Sequence, residues 1–160
     1  MEDKRRPSYW LLANLTFLGG SLIMPWFATG FEGPSGPAGL IAGWEYFPAI
    51  LGVEMEAWGK YGFDWYGFLS ILVVSGGFFV GGYLVFGVAK AVRQKWSVGN
   101  RAVSAGLTLA LLVLVLREVV YRTIQFPLPG FWCFAAGLLS SAIFEWKYAN
   151  TDAIANLAHK

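Results

Sequence analysis

Four long apolar stretches, nearly free of charged side chains, constrain this chain more than any other feature. Lipid offers no hydrogen-bond partner to backbone N–H and C=O groups, so a segment crosses a bilayer as a helix of about 20 apolar residues. The 160 residues are 56% hydrophobic and 14% charged, whereas a soluble domain is about 25% charged. We therefore predict an all-α integral membrane protein, a single domain with four transmembrane helices in an up-down bundle.

The predicted elements follow these stretches and the polar loops between them. An outer segment of about 35 residues separates the first two spans, and two short connections join the others. No separate soluble domain fits in the remainder of the chain. The spans are predicted at about residues 9–28, 64–90, 101–122 and 127–146, the outer segment at 29–63 and a tail at 147–160.

The distribution of lysine and arginine predicts the orientation, because these residues translocate poorly and stay on the cytoplasmic side of short loops. Basic residues precede the first span, crowd the second connection and follow the fourth span, whereas most acidic residues fall on the other side. We therefore expect both termini to be cytoplasmic. The basic residues are Lys4, Arg5, Arg6, Lys90, Arg93, Lys95, Arg101, Lys147 and Lys160, and the acidic ones are Glu32, Glu45, Glu54, Glu56, Asp64 and Glu118.

The outer segment is too long to be an idle connection, and it is rich in aromatic residues. Glycine and proline exclude a regular helix from its first part, GFEGPSGPAG. A short interfacial helix is predicted at residues 48–60, with Pro48 in the first turn and Glu54 and Glu56 facing water. The alternation around residues 53–57 also suits a strand, so that alternative stays open. The predicted partner surface consists of Trp44, Tyr46, Phe47 and Trp58.

Small residues inside the spans indicate where helices approach closely, because helices in lipid associate through backbone contact. The second span is rich in glycine, and the fourth has a small pair spaced by four residues. These residues either pack the bundle internally or contact another subunit or a flat cofactor. They are Gly76, Gly77, Gly81, Gly82, Gly87, Gly137 and Ser141.

Residues near the span ends are predicted to anchor the protein at the headgroups. Arg117 is expected to extend to the outer headgroups, and Glu118 is expected to pair with Arg122 along one helical face. Trp26 and Trp65 are expected to mark the water–lipid boundary, where an indole keeps its N–H among headgroups. The alternative is that Arg117 or Arg122 binds a lipid phosphate or a quinone headgroup.

Catalytic and metal chemistry find no support in the sequence. His159 is the only histidine, which excludes haem held by two histidines, and Cys133 is the only cysteine, which excludes an internal disulfide. The GGFFVGG run lacks the strand and the GK[ST] ending of a nucleotide loop. We expect no catalytic residue, no metal site, no enzyme activity and no required cofactor. A bound lipid, quinone or pigment stays an open alternative.

The order of elements resembles that of claudin-like tetraspan proteins. The shared features are a first helix, a large outer segment with a Gly-Trp pair, two helices joined by a short basic turn, and a returning fourth helix. Claudins have paired cysteines in the outer segment, which this chain lacks, so the resemblance does not imply a barrier function. The Pro25–Trp26 ending of the first span is similar to that of many small bacterial membrane proteins, and the bacterial cytoplasmic membrane is the expected location.

Two function classes remain. The preferred one is a non-catalytic accessory or structural subunit of a larger membrane complex, such as a respiratory or photosynthetic energy-converting assembly. It would dock through the glycine-rich second span and the outer segment, with other membrane subunits and lipids as partners; a net charge of +2 does not favour nucleic acid. The alternative is a stand-alone protein that binds or transports a small molecule, a lipid or a quinone, and it should have a polar cavity near mid-membrane.

Overall fold

The computed structural model describes residues 6–28, 40–62, 64–92, 100–120 and 127–158. These residues are mostly helical, as predicted, and a short antiparallel strand pair joins the first two helices. Arg122, residues 30–39 and most of the predicted basic loop lie outside the described ranges. The elements are α1 (Arg6–Ile23), β1 (Pro25–Ala28), β2 (Leu40–Ala42), α2 (Gly43–Tyr61), α3 (Trp65–Val92), α4 (Arg101–Val115), a π-helical turn (Leu116–Val120) and α5 (Pro129–Ala158).

One described segment, Trp65–Ala89 of α3, is long and apolar enough to cross a membrane. Tyr9–Ile23 of α1 is apolar but shorter. At 1.5 Å per residue the α3 segment is about 37 Å long, against about 30 Å for a hydrocarbon core. By length and composition, the described residues therefore contain a helical chain with one segment of spanning length.

α3 is the central element, because α1, α2, α4 and the π turn all pack against it. Gly62 ends α2 with a positive φ of 82°, which glycine adopts without a steric penalty. The Asp64 side chain then accepts a hydrogen bond from the Gly67 N–H at 2.7 Å and so satisfies a free donor in the first turn of α3. α2 and α3 are consequently antiparallel neighbours.

The core lies between one face of each helix. In α1, Leu11, Leu15 and Leu18 are buried at a spacing of three to four residues, which is the period of a helix face. They belong to the same buried cluster as aromatic side chains from the first half of α5, including Phe131 and Phe134, and Leu18 lies against Gly137 of α5. α1 and α5 are therefore close neighbours along the bundle.

Trp26, predicted to lie at the headgroups, is instead fully buried. β1 pairs with β2, and this turns the Trp26 ring inward onto Tyr46, Phe131 and Phe134, with ring centroids 4.6 to 5.9 Å apart. Its indole Nε1 donates to the Ser21 carbonyl at 2.8 Å, which satisfies the one polar group of the ring. The headgroup prediction for Trp26 is therefore wrong.

α2 is longer than predicted and begins at Gly43, so Pro48 lies inside the helix and not in its first turn. The Glu45 carboxylate accepts a hydrogen bond from the Ala42 N–H at 3.2 Å, which fixes this early start. Gly43 itself is required by Trp26, because a Cβ at this position would fall 2.3 Å from the Trp26 Nε1. Of the two alternatives for this part of the outer segment, helix or strand, the helix is observed over residues 43–61. The strands β1 and β2 precede it.

Gly43→Ala tests this close contact. The added methyl meets a buried ring that has no room to move, and overpacking of this kind costs about 1–3 kcal/mol of unfolding free energy. Gly52→Ala is the matched control, since nothing lies within 4 Å of a Cβ there, and alanine is favoured in a helix by up to about 1 kcal/mol. Denaturant unfolding of the detergent-solubilised protein measures both; equal stability of the two variants would contradict the contact.

Candidate functional site

A group of ionisable and hydroxyl side chains is buried where α2, α3 and the π turn meet. We call it the ionic cluster; its members are Tyr46, Glu54, Ser70, Arg117 and Glu118. Each has 5% or less of its surface exposed. Charged groups are almost never buried this completely unless they are paired, so the cluster is the most unusual chemical feature of the described residues.

Arg117 is the centre of the cluster. Its guanidinium donates to a Glu118 oxygen and, at 3.2 Å, to Glu54 Oε1. Its Nε donates to the Ser70 hydroxyl at 2.9 Å, and its Cζ lies 4.8 Å from the centre of the Tyr66 ring. The arginine therefore binds α2, α3 and its own turn at once, using the planar fork that distinguishes it from lysine.

The two carboxylates have different surroundings. Glu54 Oε1 accepts hydrogen bonds from Ser70 at 2.8 Å and from Arg117. Glu118 Oε1 accepts from the Tyr46 hydroxyl and from Arg117, while Glu118 Oε2 is buried without a hydrogen-bond partner in the described residues. Burial, and next the Glu118 carboxylate, raise the pKa of Tyr46, so the phenol stays neutral and remains a donor.

The π turn explains how two successive residues join one buried site. A π turn is wider than an α-helical turn and often marks a functional position. Here it lets Arg117 and Glu118 both face the interior. The predictions that Arg117 extends to the headgroups and that Glu54 faces water are wrong, because these two side chains form a buried ion pair with each other.

A second buried acid lies towards the other end of the bundle. Glu145 accepts a hydrogen bond from the Asn100 N–H at 2.9 Å and lies 3.4 Å from the Tyr83 hydroxyl. The Asn100 side chain in turn caps α4 by accepting from the Ala102 N–H at 2.9 Å. Glu145 thus fixes the start of α4 to α5, which is a structural role.

The five glycines of α3 that were predicted for helix packing divide into two groups. Gly76, Gly77 and Gly87 pack internally, because a Cβ at these positions would approach Ala110, Phe47 and Leu15 within 2.6 to 3.3 Å. At Gly81 and Gly82 nothing lies within 4 Å of a Cβ. Internal packing and an open surface, the two alternatives posed by the sequence, thus apply to different residues of α3.

The predicted outer surface also divides. Trp44 is 60% exposed, whereas Tyr46 belongs to the ionic cluster and Phe47 packs on Gly77. The Trp58 ring lies on Gly67, where a Cβ would be 2.1 Å from its Nε1. Of the four aromatic residues, only Trp44 presents most of its side chain outward.

The remaining predicted site residues take separate positions. Trp65 is exposed at the start of α3, as a boundary residue would be. Gly137 packs on Leu18 of α1, and Ser141 is fully buried in α5. Arg122, the expected partner of Glu118, lies outside the described residues.

A shallow apolar groove runs between α1 and the start of α5, with a volume of about 410 Å³. Phe17, Gly20 and Met24 form much of its wall, and Cys133 closes one side. The Ser21 hydroxyl in this wall already donates to the Leu18 carbonyl at 2.7 Å. The groove therefore suits an apolar chain better than a polar ligand.

The described residues bring together no group of three His, Cys, Asp or Glu side chains suited to a metal ion. Comparisons of the chain with protein-family models, with curated proteins and with solved structures find no match. The geometry of the ionic cluster, of α3 and of the groove is therefore the basis for any functional conclusion.

Arg117→Met tests the cluster. Removing the cation leaves the buried carboxyl groups of Glu54 and Glu118 without their partner, and breaking a buried pair costs about 3–5 kcal/mol of unfolding free energy. Lys60→Met is the matched control, because the Lys60–Glu56 pair is exposed, and exposed pairs contribute about 0–1 kcal/mol. Chemical unfolding in detergent compares the two; similar losses would show that Arg117 is not the stabilising centre.

Proposed function

We propose that this chain is a non-catalytic accessory subunit of a larger membrane complex, such as a respiratory or photosynthetic assembly. In this proposal it crosses the bacterial cytoplasmic membrane four times, with both termini in the cytoplasm and with α3 as its longest span. The partner is a transmembrane helix of another subunit, and it packs along one outward face of α3.

The observation that supports this proposal is the pattern of that face. Ser75, Gly82 and Ala89 recur every seven residues, and the exposed side chains of Phe78 and Val85 stand between them. Small residues at a seven-residue period form the seam along which two helices cross at a shallow angle. We call this seam the α3 face.

Lipid alone is a weaker explanation of the α3 face. An added Cβ at Gly82 would meet nothing within 4 Å, while Phe78 is 78% exposed one turn away. This leaves a notch beside a protruding ring, a shape that a neighbouring helix backbone fills closely. The exposed Trp44 ring offers a second contact area outside the spans.

Site-specific photo-crosslinking in the native membrane tests the proposal. A photoreactive phenylalanine in place of Phe78 should give a protein adduct of fixed mass, and Gly82→Leu should reduce that adduct at least about tenfold by blocking the seam. The matched controls lie in the wall of the α1 groove, away from the α3 face: the photoreactive residue at Phe17 should not give this protein adduct, and Gly20→Leu should not reduce the adduct from Phe78. Lipid adducts alone from Phe78, with no effect of Gly82→Leu, would exclude the accessory role.

The groove between α1 and α5 favours a second function, binding of a lipid or a quinone. Its volume of about 410 Å³ falls within the range of about 300–1,000 Å³ typical of small-molecule sites. Its apolar wall fits an acyl chain or an isoprenoid tail. In this second proposal the chain is a stand-alone binding protein, and its ligand occupies the apolar groove. The sequence predicts a polar cavity near mid-membrane for such a protein instead.

Gly20→Leu tests the second function by filling the groove. Mass spectrometry of the purified protein should find several-fold less bound lipid or quinone than in the wild type, because the leucine occupies the space of the ligand tail. Gly82→Leu is the control and should leave that amount unchanged. An equal amount of ligand on both variants would contradict binding in the groove.

A further inference from the structure

We propose that Glu118 is a proton-binding site, which holds a proton on Oε2 while Glu54 forms the ionised pair with Arg117. This inference concerns the ionic cluster and does not depend on the accessory role or on the groove. It assigns the cluster a ligand, the proton.

The charges of the cluster do not balance without a bound proton. Within the described residues, Glu54 and Glu118 pair with a single cation, Arg117, and the side chains of all three are 6% exposed or less. A net negative charge removed from water is costly, and a proton on one carboxyl removes it. The described groups that contact Glu118 are Tyr46 from α2 and Arg117 from its own turn. Arg117 in turn contacts Glu54 from α2 and Ser70 and Tyr66 from α3.

The position of the unpartnered oxygen assigns the proton to Glu118. A carboxylate spreads its charge over both oxygens, so each buried oxygen needs a donor. Glu118 Oε1 has two donors, whereas Oε2 is buried with none among the described residues. A proton on Oε2 neutralises the group and leaves Oε1 free to accept from Tyr46 and Arg117.

A proton held in the folded protein couples folding to pH. In the unfolded chain Glu118 is ionised at neutral pH, so folding takes up one proton. The folded state is then favoured at low pH, and the unfolding equilibrium constant rises as pH increases, by up to about tenfold per pH unit.

Infrared spectroscopy of the purified full-length protein detects the proton directly. The wild type should show the C=O stretch of a protonated carboxyl at neutral pH, shifted in D₂O. Glu118→Gln should remove this band, and Glu56→Gln, the same change at an exposed glutamate, should leave it. A wild-type spectrum without the band, or a band that persists in Glu118→Gln, would overturn the proposal.

Unfolding of the variants across about pH 6 to 9 identifies which carboxyl holds the proton. Glutamine resembles a protonated glutamate but takes up no proton on folding, so Glu118→Gln should be more stable than the wild type at neutral pH and lose the pH dependence. Glu54→Gln should raise the unfolding constant about tenfold or more, because it removes the ionised partner of Arg117. If Glu54→Gln loses the pH dependence and Glu118→Gln raises the unfolding constant instead, the proton is on Glu54 and the assignment is refuted.

Arg122 is the last group to be tested, since it follows Glu118 by four residues. If a proton neutralises Glu118, Arg122→Gln should leave both the infrared band and the pH dependence unchanged. If Arg122→Gln destabilises the protein as much as Arg117→Met does, a cation and not a proton neutralises Glu118, and the proposal is wrong.

Discussion

The interaction between Arg117 and Glu54 connects α2 to the π turn that follows α4. Glu54 belongs to α2 and Arg117 to the π turn after α4, and the bond between them is buried against Ser70 of α3. α2 is therefore a fixed part of the helical assembly and not a separate cap. Because the pair is desolvated, its strength depends on complete hydrogen bonding, which Ser70 and Tyr46 supply.

Trp26 fixes the arrangement on the other side of α2. Its ring fills the space between the end of α1, the start of α2 and the first turn of α5, where Gly43 and Gly130 leave room for it. A small strand pair holds it there. Arg117 and Trp26 both contact Tyr46, by a hydrogen bond and by ring packing respectively. One tyrosine thus joins the polar and the apolar centre of the molecule.

Patterns of local sequence predicted the mostly helical architecture, because apolar composition and helix length are local properties. The site depended on distant partners and could not be predicted in the same way. Glu54 and Glu56 look alike in the sequence, yet only Glu54 meets an arginine 63 residues away. The signal that was available was the pair of charges at Arg117 and Glu118 after an uninterrupted apolar run, since charges in such a place are often functional.

The same distinction applies to Trp26 and to the glycines. Trp26 follows an apolar helix, as an interfacial tryptophan does. Its ring faces the core because β1 pairs with β2, and this pairing is not visible in the local sequence. Gly77 and Gly81 form one sequence motif, but Phe47 reaches only Gly77.

The apolar segment Trp65–Ala89 has a further consequence through its length: it exceeds an average hydrocarbon core by about 7 Å. Ser70 lies five residues, or about 7 Å, from Trp65. In the proposed membrane location, hydrophobic mismatch would make α3 tilt in a thin bilayer and stand upright in a thicker one, so that membrane thickness would set how deep Arg117 and its partners lie.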